Sequence, residues 1–427
     1  MSSAQISQRY SVKVKNMELI KPELLSPAGD FDRLYAAVKY GADAVYLGSS
    51  AFGMRTAAAS FGGDKLIQAV NIAHASGVKV YLTCNTLPHN DDMEHLPAFL
   101  DEVALARVDA LIVSDIGVLN AIKKRLPNME IHISTQAGIV NYATACAYHD
   151  MGAKRVVLAR ELSLDEIATL RAKTPSELEI ECFVHGAMCV SFSGRCLLSN
   201  YICGRDSNRG DCSQPCRWKY SLVEEKRPGL YFPIEQDDSG TYILNSKDMC
   251  LVEHIPELVN AGISSFKIEG RAKSEYYTAV VTNAYRNAID GYFANTTPEY
   301  KTEQWIIDEL RKISYREYCT GFFFDSPHDD ACISYKGGYL RPWDVCAVVD
   351  GYADGRLYCT QRNRFFEGEE VEILSAEEKP FKVKAVDLRN EENEPIDSTK
   401  HAMMKFSFKC EHAAKAGSFL RIQREEI

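Results

Sequence analysis

From residue 23 to about residue 270, short apolar runs alternate with amphipathic stretches. The runs are Glu23–Leu25, Ala44–Leu47, Val78–Thr83, Ala110–Val113, Glu130–Ile133, Arg155–Ala159, Leu178–Val184 and Ser265–Ile268. Segments of helical period, such as Asp64–Ser76 and Leu96–Arg107, lie between them. YGADAVYLG, RVDALIVSD, MGAKRVVLA and AGISSFKIEG share one form, a helix end at a small or Gly residue followed by a buried strand. Nearly continuous Val/Ile/Leu strands separated by helices predict a parallel sheet covered on both faces. Eight such units predict an α/β fold, a (β/α)8 TIM-like barrel. A doubly wound open sheet is the structural alternative.

Two stretches depart from the alternation. A long insertion at 185–245 separates the seventh and eighth runs. After about residue 335 the texture changes to short alternating strands, VCAVVDG, GRLYCTQ, EEVEIL, FKVKAV, MMKFSF and FLRIQ, with turn residues between them. That pattern predicts a small all-β barrel. The expected organisation is therefore a disordered tail at 1–16, a barrel with its insertion at 17–334, and a β domain at 335–427.

Composition adds limits. At 427 residues with 46% hydrophobic and 25% charged positions, the chain reads as globular. The net charge of −10 argues against a globally basic nucleic-acid binder but leaves room for a local basic patch. No apolar run approaches the ~18–20 residues of a membrane span, and MSSAQISQRYSVKVKN lacks the apolar middle of a secretion signal. A cytoplasmic location is expected.

Six of the 14 cysteines fall between Cys182 and Cys216. In a reducing cytosol such clustering favours metal over disulfide. Cys189, Cys196, Cys212 and Cys216 stand as C-x6-C-x15-C-x3-C. Four thiolates suit an iron–sulfur cubane. They also suit a structural zinc site, although the tight C-x2-C knuckles usual for zinc are missing. Free thiols are the third reading.

Arginines surround the cysteines: Arg195, Arg205, Arg209 and Arg217. Lys267 and Arg271 stand in KIEGR, at the end of the last expected barrel strand. Strand C-termini form the active face of a barrel, and Arg forks hold carboxylate or phosphate. An anionic substrate is the functional reading. The alternative is pairing with Asp206, Asp211 and Glu269.

Other strand ends are polar too. They carry Ser26 and Asp30, then Ser49 and Arg55, Asn85, Ser114 and Asp115. Ser134 and Gln136, Arg160 and Glu161, and His185 follow at later ends. Together they describe a polar mouth over an apolar barrel. Helix capping is the competing role for Asp30, Ser49, Asp115 and Ser163. His185 can transfer a proton near neutral pH or hydrogen-bond its surroundings. No HExxH, GxSxG, Walker A or CxxxCxxC motif is present.

The stretches ELLSPAGD, GADAVYLG, HGAMCVSFSGRC, NRGDCSQPCRW, NSKDM and KIEGR resemble peptidase family U32, also called collagenase-like. The resemblance covers about residues 20–330, and the β-rich tail resembles the family's C-terminal domain in QRNRFFEGEEVEIL. It implies a [4Fe–4S] cluster on Cys189, Cys196, Cys212 and Cys216. The chain is most similar to the branch that makes 5-hydroxyuridine at the tRNA wobble position without O2, with prephenate as hydroxyl source. Other branches act on ribosomal RNA or in quinone hydroxylation, and the family name carries a peptidase reading. A non-catalytic RNA-binding subunit is a further class.

That resemblance makes tRNA and prephenate the expected partners, with electron- or cluster-delivery proteins alongside. His185 becomes a candidate proton-transfer group. Arg55, Arg205, Arg209, Arg217, Lys267 and Arg271 become candidate cations for prephenate. The tail is expected to help hold tRNA through Arg362, Arg364, Phe365 and Phe366.

Overall fold

A computed structural model describes residues 19–49, 51–53, 61–188, 196, 198–207, 210–215, 247–297, 300–324, 339–376 and 378–424, with four short strands between 222 and 242. The tail at 1–16, Arg55, Cys189, Arg195, Arg209, Cys216 and Arg217 lie outside the described residues.

Eight parallel strands close into a barrel. They are β1 (Glu23–Ala28), β2 (Ala44–Gly48), β3 (Lys79–Cys84), β4 (Ala110–Val113), β5 (Glu130–Ile133), β6 (Arg155–Val157), β7 (Glu179–Ala187) and β8 (Ser265–Ile268). Each pairs with the next, β8 pairs with β1, and β7 pairs with β8, which shuts the ring. Helices follow the strands, among them α1 (Phe31–Lys39) and, after β8, the long α2 (Glu275–Ala294). Asp30, Asp115 and Ser163 accept hydrogen bonds from backbone N–H groups at three helix starts, so these strand-end residues act as caps.

Side chains alternate along each strand. One set packs against the helices, and the other faces the barrel axis. The upper axial set includes Leu25, Ala44, Tyr46, Tyr81, Ala110 and Ile112, which form one buried cluster. Below it the axis is charged. Arg155 bonds Glu23 at 2.6 Å, Glu179 at 2.6 Å and Glu181 at 3.0 Å. Lys267 bonds the other Glu181 oxygen at 2.7 Å, and the Tyr81 hydroxyl donates to Glu23. Burial alone would raise the Glu181 carboxyl, but Lys267 and Arg155 pull it down to about 2. Glu181 is therefore an anion held by two cations.

β7 is nine residues long, and its upper end leaves the ring. His185, Gly186 and Ala187 pair antiparallel with Asp248–Cys250, the strand that returns from the insertion. Gly186 sits at φ 108°, and a Cβ there would meet the Glu269 carbonyl and Tyr277. Only glycine fits this crossing without strain.

The C-terminal region is a seven-stranded antiparallel sheet in the order Phe381–Lys384, Glu370–Leu374, Phe419–Gln423, Trp343–Ala353, Arg356–Gln361, Lys405–Lys409, Val386–Asn390. It curls, because its two edge strands, Phe381–Lys384 and Val386–Asn390, follow one another in the chain through the single residue Ala385. Its own core includes Cys346, Phe365, Phe408 and Leu420. The sheet is fastened to the barrel by Arg421, which is fully buried. Arg421 donates to Glu309 at 2.6 and 2.7 Å, to Glu372 and to the Tyr276 hydroxyl of α2. Lys312 bridges the same two glutamates.

Candidate functional site

The axial register carries upward to the strand ends. Tyr81 and Thr83 lead to Asn85, Ile112 to Ser114, His132 to Ser134, and Lys267 to Glu269. At the ends of β3, β4 and β5 these polar groups join. The Asn85 amide donates to Ser134 Oγ at 3.3 Å, and Ser114 Oγ lies 3.0 Å from the Asn85 carbonyl and 3.2 Å from Gln136 Oε1. All four residues are buried or half-buried, and none carries a charge.

The opposite side, at the ends of β6, β7 and β8, is charged and aromatic. The Arg160 guanidinium lies 3.7 Å from the centre of the Phe183 ring. Its Nη1 donates to the Ala187 carbonyl at 2.7 Å, and its Nη2 to Glu269 at 3.1 Å. Lys267 sits between the Tyr46 and Phe183 rings, at 4.8 and 5.3 Å. The Arg271 guanidinium lies 5.8 Å from the Tyr46 ring. These cation–ring contacts hold the cations where water is scarce and electrostatics are strong. Gly29 at the end of β1 completes the rim, since a Cβ there would strike the Arg271 carbonyl.

Of the candidate cations, Arg271 stands at this mouth and is only 7% exposed. Lys267 lies one layer lower and is paired with Glu181. Arg205 is half-exposed and paired with Asp211 on the insertion. Arg160 was visible in the sequence as a strand-end residue, but nothing there singled it out as the arginine that joins Phe183, Ala187 and Glu269. The signal was its position three residues after the strand Arg155–Val157, a place shared by many helix-capping residues.

His185 is a separate case. Two-residue alternation from Glu181 and Phe183 would aim it at the mouth. However, the register shifts between Lys267 and Ile268, so that β7 carries an extra residue and His185 pairs with Ile268. This bulge turns the imidazole outward. It is 1% exposed and surrounded by Tyr277, Tyr285 and Tyr318, with ring centroids 6.0, 5.6 and 5.5 Å away. Burial holds its pKa down at about 3. A neutral imidazole facing the helices is a packing group, placed away from the mouth.

That burial has a measurable consequence. The folded pKa lies below the ordinary value near 6.5, so the unfolded chain takes up a proton that the folded chain refuses. The stability is complete above about pH 6.5 and declines as pH falls toward 3, by ~1.4 kcal/mol per unit. Between pH 7 and 5, His185→Gln should lose roughly 2 kcal/mol less than wild type in denaturant titrations. Equal losses in the two proteins would contradict the burial. His132 is shifted in the same direction but is common to both.

Two of the four clustered cysteines are described. Cys196 Sγ accepts from the Leu198 N–H at 3.3 Å, and Cys212 Sγ from the Gln214 N–H at 3.4 Å. Each sulfur thus receives an amide from two residues on, a contact of the kind that tunes a metal-bound sulfur. Ser199 Oγ meets Ser213 Oγ at 2.9 Å and the Ser213 N–H at 3.1 Å, stitching the two cysteine segments together. By contrast, burial pushes the Cys84, Cys182, Cys250 and Cys346 thiols up, which makes them poor ligands. The donor set at Cys196 and Cys212 fits a thiolate-bound metal cluster. In the sequence Cys189 comes two residues after the last residue of β7.

In the C-terminal sheet, Phe365 is fully buried in the core and does not face a ligand. Its neighbour Phe366 is 45% exposed and carries the Arg364 guanidinium at 4.8 Å. Arg362 reaches Glu275 of α2 at 3.5 Å.

A closed parallel barrel with a polar mouth, a cysteine-bearing insertion on that face and a curled β appendage defines a narrow class. The sequence model of peptidase family U32 matches residues 29–332, and that of the peptidase family U32 C-terminal domain matches 341–421. The chain belongs to peptidase family U32. It is 35% identical to the "tRNA hydroxylation protein P1" of Bacillus subtilis over 97% of this chain and 99% of that protein. It is 39% identical to the "tRNA hydroxylation protein P" of Escherichia coli, over 84% and 87% of the two chains. A 23S rRNA 5-hydroxycytidine synthase of Escherichia coli is 36% identical over 72% of this chain and 46% of its own length.

Proposed function

We propose that this protein hydroxylates tRNA, converting the wobble uridine to 5-hydroxyuridine without O2 and with prephenate as hydroxyl source. The observation that carries the reading is the near end-to-end match to proteins named for tRNA hydroxylation. The barrel mouth supports it, because it joins neutral amide and hydroxyl groups to a cationic, aromatic flank. Such a site suits a nucleobase beside a small anion.

Cys189, Cys196, Cys212 and Cys216 would hold a [4Fe–4S] cluster. When bound, that cluster would supply an electrophilic or redox-active centre. The residues of the chain then bind and orient. Arg160 and Arg271 attract carboxylates, Phe183 and Tyr46 exclude water, and Asn85, Ser114 and Gln136 offer hydrogen bonds to a base. The C-terminal sheet adds the exposed Arg364–Phe366 pair to the RNA contact. The protein works in the cytoplasm, in keeping with the absence of any described helix long and apolar enough to cross a membrane. Electron- or cluster-delivery proteins would serve the iron site.

Nucleoside mass spectrometry of tRNA from cells lacking the protein tests this directly. The expected outcome is loss of 5-hydroxyuridine and its derivatives, restored by wild type but not by Cys212→Ala. Anaerobically purified wild type should contain about four iron and four sulfide per chain; Cys212→Ala should lose them, and Cys84→Ala should not. Unchanged tRNA with altered ribosomal RNA would move the activity to a different nucleic acid. Stoichiometric zinc without iron would remove the cluster from the reading.

A further inference from the structure

The mouth of the barrel is divided, and the division follows strand order. β3, β4 and β5 are consecutive neighbours, and their ends hold Asn85, Ser114, Ser134 and Gln136 in one hydrogen-bonded arc. β6, β7 and β8 are the next consecutive neighbours. Their ends hold Arg160, Phe183, Glu269 and Arg271, with Lys267 a layer below.

Each arc suits one kind of ligand. A pyrimidine ring is uncharged and presents a short row of donors and acceptors on its edge. Amide side chains match such an edge, because each supplies a donor and an acceptor side by side. Asn85 and Gln136 are held in place through Ser114 and Ser134, so little side-chain freedom is lost on binding. A carboxylate placed against these four side chains would meet no cation among them and would lose its hydration without compensation. The charged arc has the opposite character. Arg160 uses Nη1 and Nη2 on Ala187 and Glu269 and still has N–H groups for an incoming anion. The Phe183 and Tyr46 rings keep water from screening that attraction. A neutral base edge placed here would compete with the Arg160–Glu269 pair and gain little.

We propose that the β3–β5 arc is a nucleobase subsite read by Asn85 and Gln136, and that the β6–β8 arc is a carboxylate subsite read by Arg160 and Arg271. The assignment rests on the hydroxylation reading and refines it. It also fixes the layout of the reaction: the base and the anion enter from opposite sides of the barrel axis. The anion lies beside the strand end that leads into Cys189.

Titration calorimetry on anaerobically prepared holoprotein separates the two subsites. One ligand is prephenate, and the other is an anticodon stem-loop RNA with an unmodified wobble uridine. Gln136→Ala and Asn85→Ala should each weaken the RNA about tenfold relative to the same loop lacking that base, a change of ~1.4 kcal/mol. Their prephenate affinity should stay within about twofold of wild type. Arg271→Gln and Arg160→Gln should reverse the pattern and weaken prephenate at least about tenfold. Asn85→Ser, a smaller change at a half-buried position, replaces any alanine variant that loses its wild-type melting temperature. Equal losses for both ligands in every variant, or the reversed assignment, would overturn the division while leaving the hydroxylation reading intact. If wild type binds neither ligand, that reading fails and the division fails with it.

Discussion

Arg421→Ala is expected to lower the stability of the protein by about 3–5 kcal/mol, because it removes one partner of a buried ion pair and leaves the others uncompensated. Arg421 is the link between the C-terminal sheet and the barrel, and it holds Glu309, Glu372 and Tyr276 at once. Without it, two carboxylates remain in a joint closed to solvent, and among the described residues Lys312 is the cation left pairing with them. Denaturant unfolding should change from one transition to two, with the sheet released first. Arg421→Lys should recover little, since an ammonium cannot fork between two acids. A loss under about 1 kcal/mol, with a single transition kept, would show that the apolar contacts around Phe419 hold the joint by themselves.

The second large effect is expected on the barrel axis. Arg155→Met keeps the apolar stem but removes the cation that Glu23, Glu179 and Glu181 share, leaving Lys267 on Glu181 and only the longer contacts of Lys79 to Glu23 at 3.9 Å and Lys154 to Glu179 at 3.8 Å. The expected loss at neutral pH is again about 3–5 kcal/mol. Its pH dependence distinguishes it from a packing defect. Carboxylates crowded without a cation have raised folded pKa values, so lowering the pH protonates them and relieves the variant. In the wild type, Glu181 is depressed to about 2, so its contribution is present above its ordinary value near 4.5 and is lost as pH falls toward 2. The gap between the two proteins should therefore narrow steadily from pH 7 to pH 4.5. Urea titrations at several pH values measure it, and a constant gap would argue for a cavity in place of a charge defect.

The eight barrel strands were legible as short apolar runs between helical stretches, several of them shortly after a small or Gly residue, as in YGADAVYLG and MGAKRVVLA. The clustering of the cysteines was legible as spacing, and the serine contacts that join the Cys196 and Cys212 segments were not. The charged axis was not. Glu23, Arg155 and Glu181 stand at or near strand starts, where polar residues usually face water, and only closure of the ring brings them together. His185 shows the limit of alternation, since one extra residue in β7 reverses its direction. Phe365 and Phe366 look alike in QRNRFF, yet one is core and the other surface, because neighbours in extended backbone point to opposite sides. Arg421 sits in FLRIQ as an ordinary alternating position, and its burial depends on a helix more than a hundred residues away.

The strand Asp248–Cys250 returns against the upper end of β7, so the chain between Ala187 and Asp248 starts and finishes at one hydrogen-bonded rung. A segment tethered in this way changes length at small cost to its host, about 0.6 kcal/mol for each doubling. The barrel and the cysteine-bearing segment can therefore diverge at separate rates. On the proposed cluster assignment, the scaffold can also complete its folding before the metal is bound.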